Sequence, residues 1–204
     1  MKNIRLFIVL IFSFMLLHVV PLHAGEPINQ LRLTTDSVLD ILKNKELKRP
    51  EKIKQRRAAI RKIVDERFDF EEMAKRSLAL HWRERSPEER KEFIALYSDL
   101  IERNYIRKIE KYEDEKIQYV GEIMNDKYAT VKTKIITKRN VEIPITYRLL
   151  NKDTKWEVYD VLIEGVSLVS NYRTQFNNII RTSSYGELVK KMKTKQEELL
   201  EESP

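Results

Sequence analysis

Residues 116–163 read KIQYVGEIMNDKYATVKTKIITKRNVEIPITYRLLNKDTKWEVYDVLI, and this stretch decides the fold. Apolar and polar residues alternate along it, the period of strands with one buried face. Turn-forming groups interrupt it at Asn125-Asp126, at Lys138-Arg139-Asn140 and at residues 151–154. The spacing predicts strands over residues 116–124, 128–137, 141–150 and 156–163. Consecutive strands joined by turns this short form an antiparallel meander, because a parallel crossover needs a much longer link. Val141, Ile143, Ile145, Tyr147 and Leu149 share one face of the third strand. Pro144 falls on the other face and predicts an edge position or a bulge, since it has no N–H for a ladder.

On both sides of the meander the period is helical. Leu31, Val38, Leu39, Ile41 and Leu42 mark a first helix, and Ile53, Ile60, Ile63 and Val64 a second. Asp69 with Glu72 caps a short third helix carrying Met73, Leu78 and Trp82. Ser86-Pro87-Glu88-Glu89 combines a serine cap, a proline at the first helical position and a glutamate three residues on. The helix it opens presents Phe93, Leu96, Tyr97, Leu100, Ile101 and Tyr105 on one face. After Gly165 a further apolar stripe includes Val166, Leu168, Val169, Tyr172 and Phe176, and a last helix begins near Leu188. The expected class is α+β: a four-stranded antiparallel meander wrapped by helices from both ends of the chain.

The first twenty-four residues have a different character. Lys2 and Arg5 precede an apolar run from Leu6 to Val20, followed by Pro21-Leu22-His23-Ala24. A basic start, a short apolar middle and a small residue before the cut make a secretory signal peptide, with cleavage after Ala24. The run is about fifteen residues, whereas a membrane-spanning helix needs about twenty. The expected organisation is a leader over 1–24 and a single domain over 25–204, exported to the periplasm.

Composition narrows the chemistry. The chain has 204 residues, no cysteine, four glycines and three histidines. An exported chain without cysteine holds its fold by packing alone and has no thiol for catalysis or metal binding. With the leader removed, His81 is the remaining histidine, so a histidine-centred metal site or a Ser-His-Asp triad has one candidate and no second ligand. No glycine-rich phosphate loop is present. The formal charge of +7 becomes +5 when Lys2 and Arg5 leave. A basic surface suits an anionic partner, and export favours lipid over nucleic acid. The lysines of 190–195 read as a solvated helix face, or as a patch steering toward an anionic membrane or an acidic partner.

Several segments resemble one family. They are Arg67-Phe68-Asp69-Phe70 with Met73, then Leu78 through Trp82-Arg83, then Ser86-Pro87-Glu88 with Phe93. Beyond the meander come Trp156-Glu157-Val158-Tyr159-Asp160-Val161 and Glu164-Gly165-Val166-Ser167-Leu168-Val169, running on to Asn171-Tyr172-Arg173 and Phe176. This resembles the periplasmic phospholipid-binding MlaC family, also called the toluene-tolerance family. Ala79 stands where that family usually has glycine. The resemblance implies a non-enzymatic carrier of phospholipid between outer and inner membranes, maintaining outer-membrane lipid asymmetry. It implies an outer-membrane lipoprotein complex and an ATP-driven inner-membrane complex as partners, bound phospholipid as cargo, and no other cofactor or metal. A monomer is the default.

A lipid carrier must hide its cargo. Each buried methylene is worth about 0.8 kcal/mol, so two sixteen-carbon tails amount to roughly 20–25 kcal/mol. A hydrophobic cavity between sheet and helices would meet this demand. Tail contacts are expected from Phe93, Tyr97, Leu100, Ile101 and Tyr105 on the capped helix. From the sheet they are expected from Val131, Ile143, Ile145, Tyr147, Val158 and Val161, and after Gly165 from Val166, Leu168, Tyr172 and Phe176. Lys132, Arg148 and Arg173 are the headgroup candidates. Asp160 reads as a hydrogen-bond anchor, with Arg173 as one possible partner, and Trp82 and Trp156 read as core. Other readings stay open: a carrier of another envelope lipid such as a hopanoid, an enzyme using Asp160 or Glu164 as acid or base, or an envelope interaction protein without a ligand.

Overall fold

The computed structural model describes residues 26–201, of which 196–201 by backbone alone; the leader read at 1–24 lies outside the described residues. Helix α1 spans Glu26–Lys43, α2 Ile53–Arg67 and α3 Phe70–Leu78, and a 3₁₀ segment Ala79–Glu84 leads to α4, Pro87–Glu110. The strands are β1 Lys116–Asn125, β2 Tyr128–Ile136, β3 Glu142–Lys152, β4 Lys155–Ile163 and β5 Val166–Ser167. Helices α5, Leu168–Thr182, and α6, Tyr185–Glu201, follow. The α+β class and the meander are as expected, but the sheet has five strands in the order β1-β2-β3-β4-β5. The helix expected to start at Val166 starts two residues later. A turn at Glu164 (φ 51) and Gly165 (φ 83) folds Val166 and Ser167 back onto Ile163 and Leu162. The Ser167 side chain then caps α5 by accepting from the Ser170 N–H at 3.0 Å.

Two caps form as the sequence spacing predicts. Ser86 accepts from the Glu89 N–H at 3.2 Å while the Glu89 carboxylate accepts from the Ser86 N–H at 2.8 Å. Asp69 accepts from the Glu72 N–H at 3.0 Å and opens α3. Its own N–H donates to the Val158 carbonyl at 2.9 Å, beside a parallel bridge between Phe68 and Val158. The free edge of β4 is thus covered at one end by β5 and at the other by this turn.

Pro144 lies in an interior strand yet acts as an edge. The β3–β4 ladder starts at Ile145↔Ile163, so β3 has no β4 neighbour at position 144. The Pro144 carbonyl instead accepts from the Glu164 N–H at 2.9 Å. A residue's N and C=O point to the same side of a strand, so the missing N–H costs no ladder bond. The bulges fall elsewhere, at Tyr119/Gly121 and Arg148/Leu149. Val141, expected within the strand, precedes it and is 54% exposed.

The apolar interior has two main parts. One lies among the helices and includes Met73, Phe93, Tyr97, Tyr172, Phe176 and Leu188. The other covers the inner face of the sheet and includes Val131, Ile145, Leu149, Trp156 and Val158 with Leu31 of α1 and Leu168 of α5. Phe68 and Tyr105 pack against both. A smaller cluster of Leu42, Ile60 and Ile106 joins α1, α2 and the end of α4. Ion pairs lace that end together: Arg56 and Arg57 reach Glu110 at 2.9 and 3.0 Å, and Arg61 reaches Asp99 at 2.7 Å and also Glu102.

Candidate functional site

The inner face of the sheet changes along its length. Cross-strand registers place Ala129, Leu149 and Val158 in one row, Val131, Tyr147 and Val161 in the next, and Thr133, Ile145 and Ile163 beyond. Ile135 and Ile143 form the last row. At the first row, Leu149 and Val158 have no accessible surface. Toward the other end Tyr147, Ile163, Ile135 and Ile143 are only partly buried. In the same rows Val131, Thr133, Ile145 and Val161 are buried, so this end of the face is covered less evenly than the first row. Burial pushes the Tyr147 phenol up to about 12, although the residue as a whole is only partly covered. Tyr119 and Tyr105, on either side, are also shifted upward by burial.

A groove of about 180 Å³ opens between α4, α5 and α6. Leu100, Tyr172, Phe176, Ile179, Leu188 and Met192 make its apolar part. Asn104, Gln175, Lys191 and Lys195 also line it. The Asn104 amide donates to the Tyr172 hydroxyl at 2.7 Å, and burial raises the Tyr172 phenol above its ordinary range despite that bond. Tyr105, next to Asn104, carries the contact on to the sheet cluster.

The sequence-predicted residues fall into groups. Leu100, Tyr172 and Phe176 line the groove. Tyr105, Ile143, Ile145, Tyr147 and Val161 belong to the sheet cluster or pack on it, and Leu168 joins them. Phe93, Tyr97, Val131 and Val158 have no accessible surface, so in this conformation they touch only protein. Phe93 and Tyr97 sit in an aromatic group with Tyr172 and Phe176, ring centroids 5.5–6.2 Å apart. Burial raises Tyr97 far above an ordinary phenol, and its hydroxyl meets Ser77 at 3.1 Å. Ile101 is buried in the helical cluster. Val166 stands apart, 60% exposed on β5.

The three headgroup candidates are not gathered at one place. Arg148 pairs with Asp160 at 3.2 Å. Arg173 donates to the Arg76 carbonyl at 2.8 Å. Lys132 is exposed and pairs in register with Thr146 and Gly121. Asp160 is the anchor its neighbours implied, but its arginine is Arg148. Its carboxylate also accepts from the Ser167 hydroxyl at 2.7 Å and the Val169 N–H at 3.1 Å. This ties β3, β4 and the start of α5 together. Trp82 and Trp156 are core, at 8% and 3% exposure, and His81 meets the Asn177 side-chain oxygen at 3.1 Å.

Sequence reasoning missed Tyr119, Ile135 and Ile163 as inner-face residues. The alternation contained all of them: Ile135 pairs with Ile143, and Ile163 follows Val161 at the strand period. It also missed Arg67, which donates to Thr34 at 2.9 Å, to Gln30 at 2.8 Å and to the Trp156 carbonyl at 2.5 Å, pinning α1 and α2 to β4. Among the described residues no cluster of three or more histidine, aspartate or glutamate side chains could hold a metal ion, and no helix is long and apolar enough to cross a membrane.

Comparison with known proteins gives three findings. The family model described as MlaC protein matches residues 32–194. The chain is similar to the intermembrane phospholipid transport system binding protein MlaC of Haemophilus influenzae, 27% identical over 150 residues, which is 69% of this chain and 70% of that protein. Its fold is similar to that of a phospholipid-binding protein from Ralstonia solanacearum solved in complex with a phospholipid. That match has a TM-score of 0.75 at 20% identity and covers 84% of this chain and 97% of the other.

Proposed function

Starting from the premise that this chain belongs to the MlaC family, we propose that it is the phospholipid-binding component of an intermembrane lipid transport system. In this reading it is a non-enzymatic carrier that moves phospholipid through the periplasm between outer and inner membranes. The relative's name and the lipid held by the structural neighbour support it. The observation that carries it is the apolar inner face of the sheet, still accessible at Tyr147, Ile135, Ile143 and Ile163. Acyl chains would lie along this face, under α4, with Tyr105 between them and the helical cluster. The leader at 1–24 and docking to an outer-membrane lipoprotein complex and an ATP-driven inner-membrane complex are part of the same proposal.

Loading requires movement. Ligand pockets usually run about 300–1,000 Å³, and the groove holds about 180 Å³. Phe93, Tyr97, Val131 and Val158 are sealed, so two tails fit only if the sheet and the α4–α6 layer part. Each methylene that enters returns about 0.8 kcal/mol, enough for a long chain to drive such an opening. Catalysis has little to draw on: the Asp160 carboxylate is already committed to Arg148, Ser167 and Val169. The test is solvent extraction of the protein purified from cells, followed by mass spectrometry. The proposal expects intact diacyl phospholipid. A hopanoid would move the chain to another cargo, and an empty extract from folded protein would contradict the carrier role.

A further inference from the structure

Two hollows meet on α6. The groove between α4, α5 and α6 has an apolar floor that includes Leu188 and Met192. A second, open hollow of about 240 Å³ lies along α6 itself, between Glu187, Lys190 and Thr194 together with Lys191 and Lys195. Lys191 and Lys195 line both. They are four residues apart on one helix, so they stand side by side on the same face. Lys191 forms a 3.7 Å ion pair with Glu187, and both lysines are exposed. Lys193, on another face of the helix, is engaged with Glu92 at 2.5 Å.

A groove with an apolar floor and two lysines at its rim matches an amphiphile with an anion at its neck. We propose that Lys191 and Lys195 seat the phosphate of a bound phospholipid. The glycerol end of one tail then crosses Leu188 and Met192, and the rest of the headgroup lies in the outer hollow. Ammonium groups bind a phosphodiester oxygen as point charges and tolerate varied headgroups. The assignment rests on the lipid-carrier reading above, and it replaces Lys132, Arg148 and Arg173, two of which have partners elsewhere and none of which lines this groove.

The experiment loads the full protein from vesicles containing a phospholipid and a diacylglycerol with the same chains, and measures the ratio taken up. Wild type is expected to favour the phospholipid. Exposed charge contacts are worth 0.2–1 kcal/mol each, so Lys191→Gln/Lys195→Gln is expected to cut that preference by roughly 2- to 30-fold while total lipid loaded stays level. Lys54→Gln, an exposed charge on α2 that lines neither hollow, is expected to leave the preference unchanged. An unchanged ratio in the double variant overturns the assignment while leaving the carrier reading intact, as does an equal loss with Lys54→Gln. Failure of wild type to load any lipid overturns the carrier reading and this assignment with it. Circular dichroism confirms that the variants are folded.

Discussion

Replacing Ala79 with glycine is expected to stabilise the protein. Ala79 ends α3 with φ 50 and ψ −117, a combination that side chains with a Cβ avoid and glycine adopts freely. Holding a non-glycine residue there costs about 1–3 kcal/mol. Against this, glycine adds unfolded-state entropy worth about 0.4–1 kcal/mol. The methyl group contributes little packing because Ala79 is exposed, and its N–H keeps its bond to the Lys75 carbonyl in either variant. The net gain is roughly 0.5–2 kcal/mol. For a chain of this size each kilocalorie moves Tm by about 2–4 °C, so Ala79→Gly is expected to melt roughly 1–8 °C higher. Ala79→Val should melt below wild type, since a β-branched side chain suits this backbone worst. Thermal melts followed by circular dichroism give the order directly. A result in which glycine is neutral or destabilising, or valine is tolerated, would refute the conformational argument.

Other outcomes follow from the same geometry. Tyr147→Glu places a carboxylate on the inner face, where an unpaired charge costs several kcal/mol; co-purified lipid should fall at least about tenfold with helix and strand signals retained. Asp160→Ala strips partners from Arg148, Ser167 and the buried Val169 N–H, and urea unfolding should show a loss of about 2–4 kcal/mol. Burial alone would raise Glu110, but the hydrogen bonds and charges of Arg57 and Arg56 outweigh it and hold the carboxylate below its ordinary range. Its contribution is therefore complete above an unfolded value of about 4.3 and disappears as pH falls through the lower folded value. Glu110→Gln should be less stable than wild type by about 1–3 kcal/mol at pH 7, with the two curves converging in acid.

What could be read from sequence was what local chemistry dictates. The Ser86–Glu89 box, the Asp69 cap and the strand alternation are short-range, and all appear where the residues placed them. Asp160 as an anchor was legible because an aspartate inside an apolar strand needs donors. The choice of Arg148 over Arg173 was not, because it depends on β3–β4 register, which sets Arg148 opposite Asp160. Ala79 stood out only against the glycine of the family it resembles, and the backbone angles supply the reason. The fifth strand was missed because Val166 falls at the head of a helical-looking stripe, and the Glu164-Gly165 turn overrides it. Lys191 and Lys195 looked like ordinary solvated lysines, because nothing in the α6 sequence reveals that α4 and α5 bring an apolar groove beside them.

The central claim is that fatty chains lie between the sheet and its helices. It is tested most directly by loading the protein with a phospholipid that carries a nitroxide near the end of one acyl chain and recording methyl NMR spectra. The account predicts strong paramagnetic broadening at Ile143, Ile145, Ile163 and Val161 on the inner face, with Val120 and Ile123 of β1, at 54% and 61% exposure, left sharp. Broadening confined to exposed methyls, with the inner face unaffected in protein that carries the lipid, would contradict it.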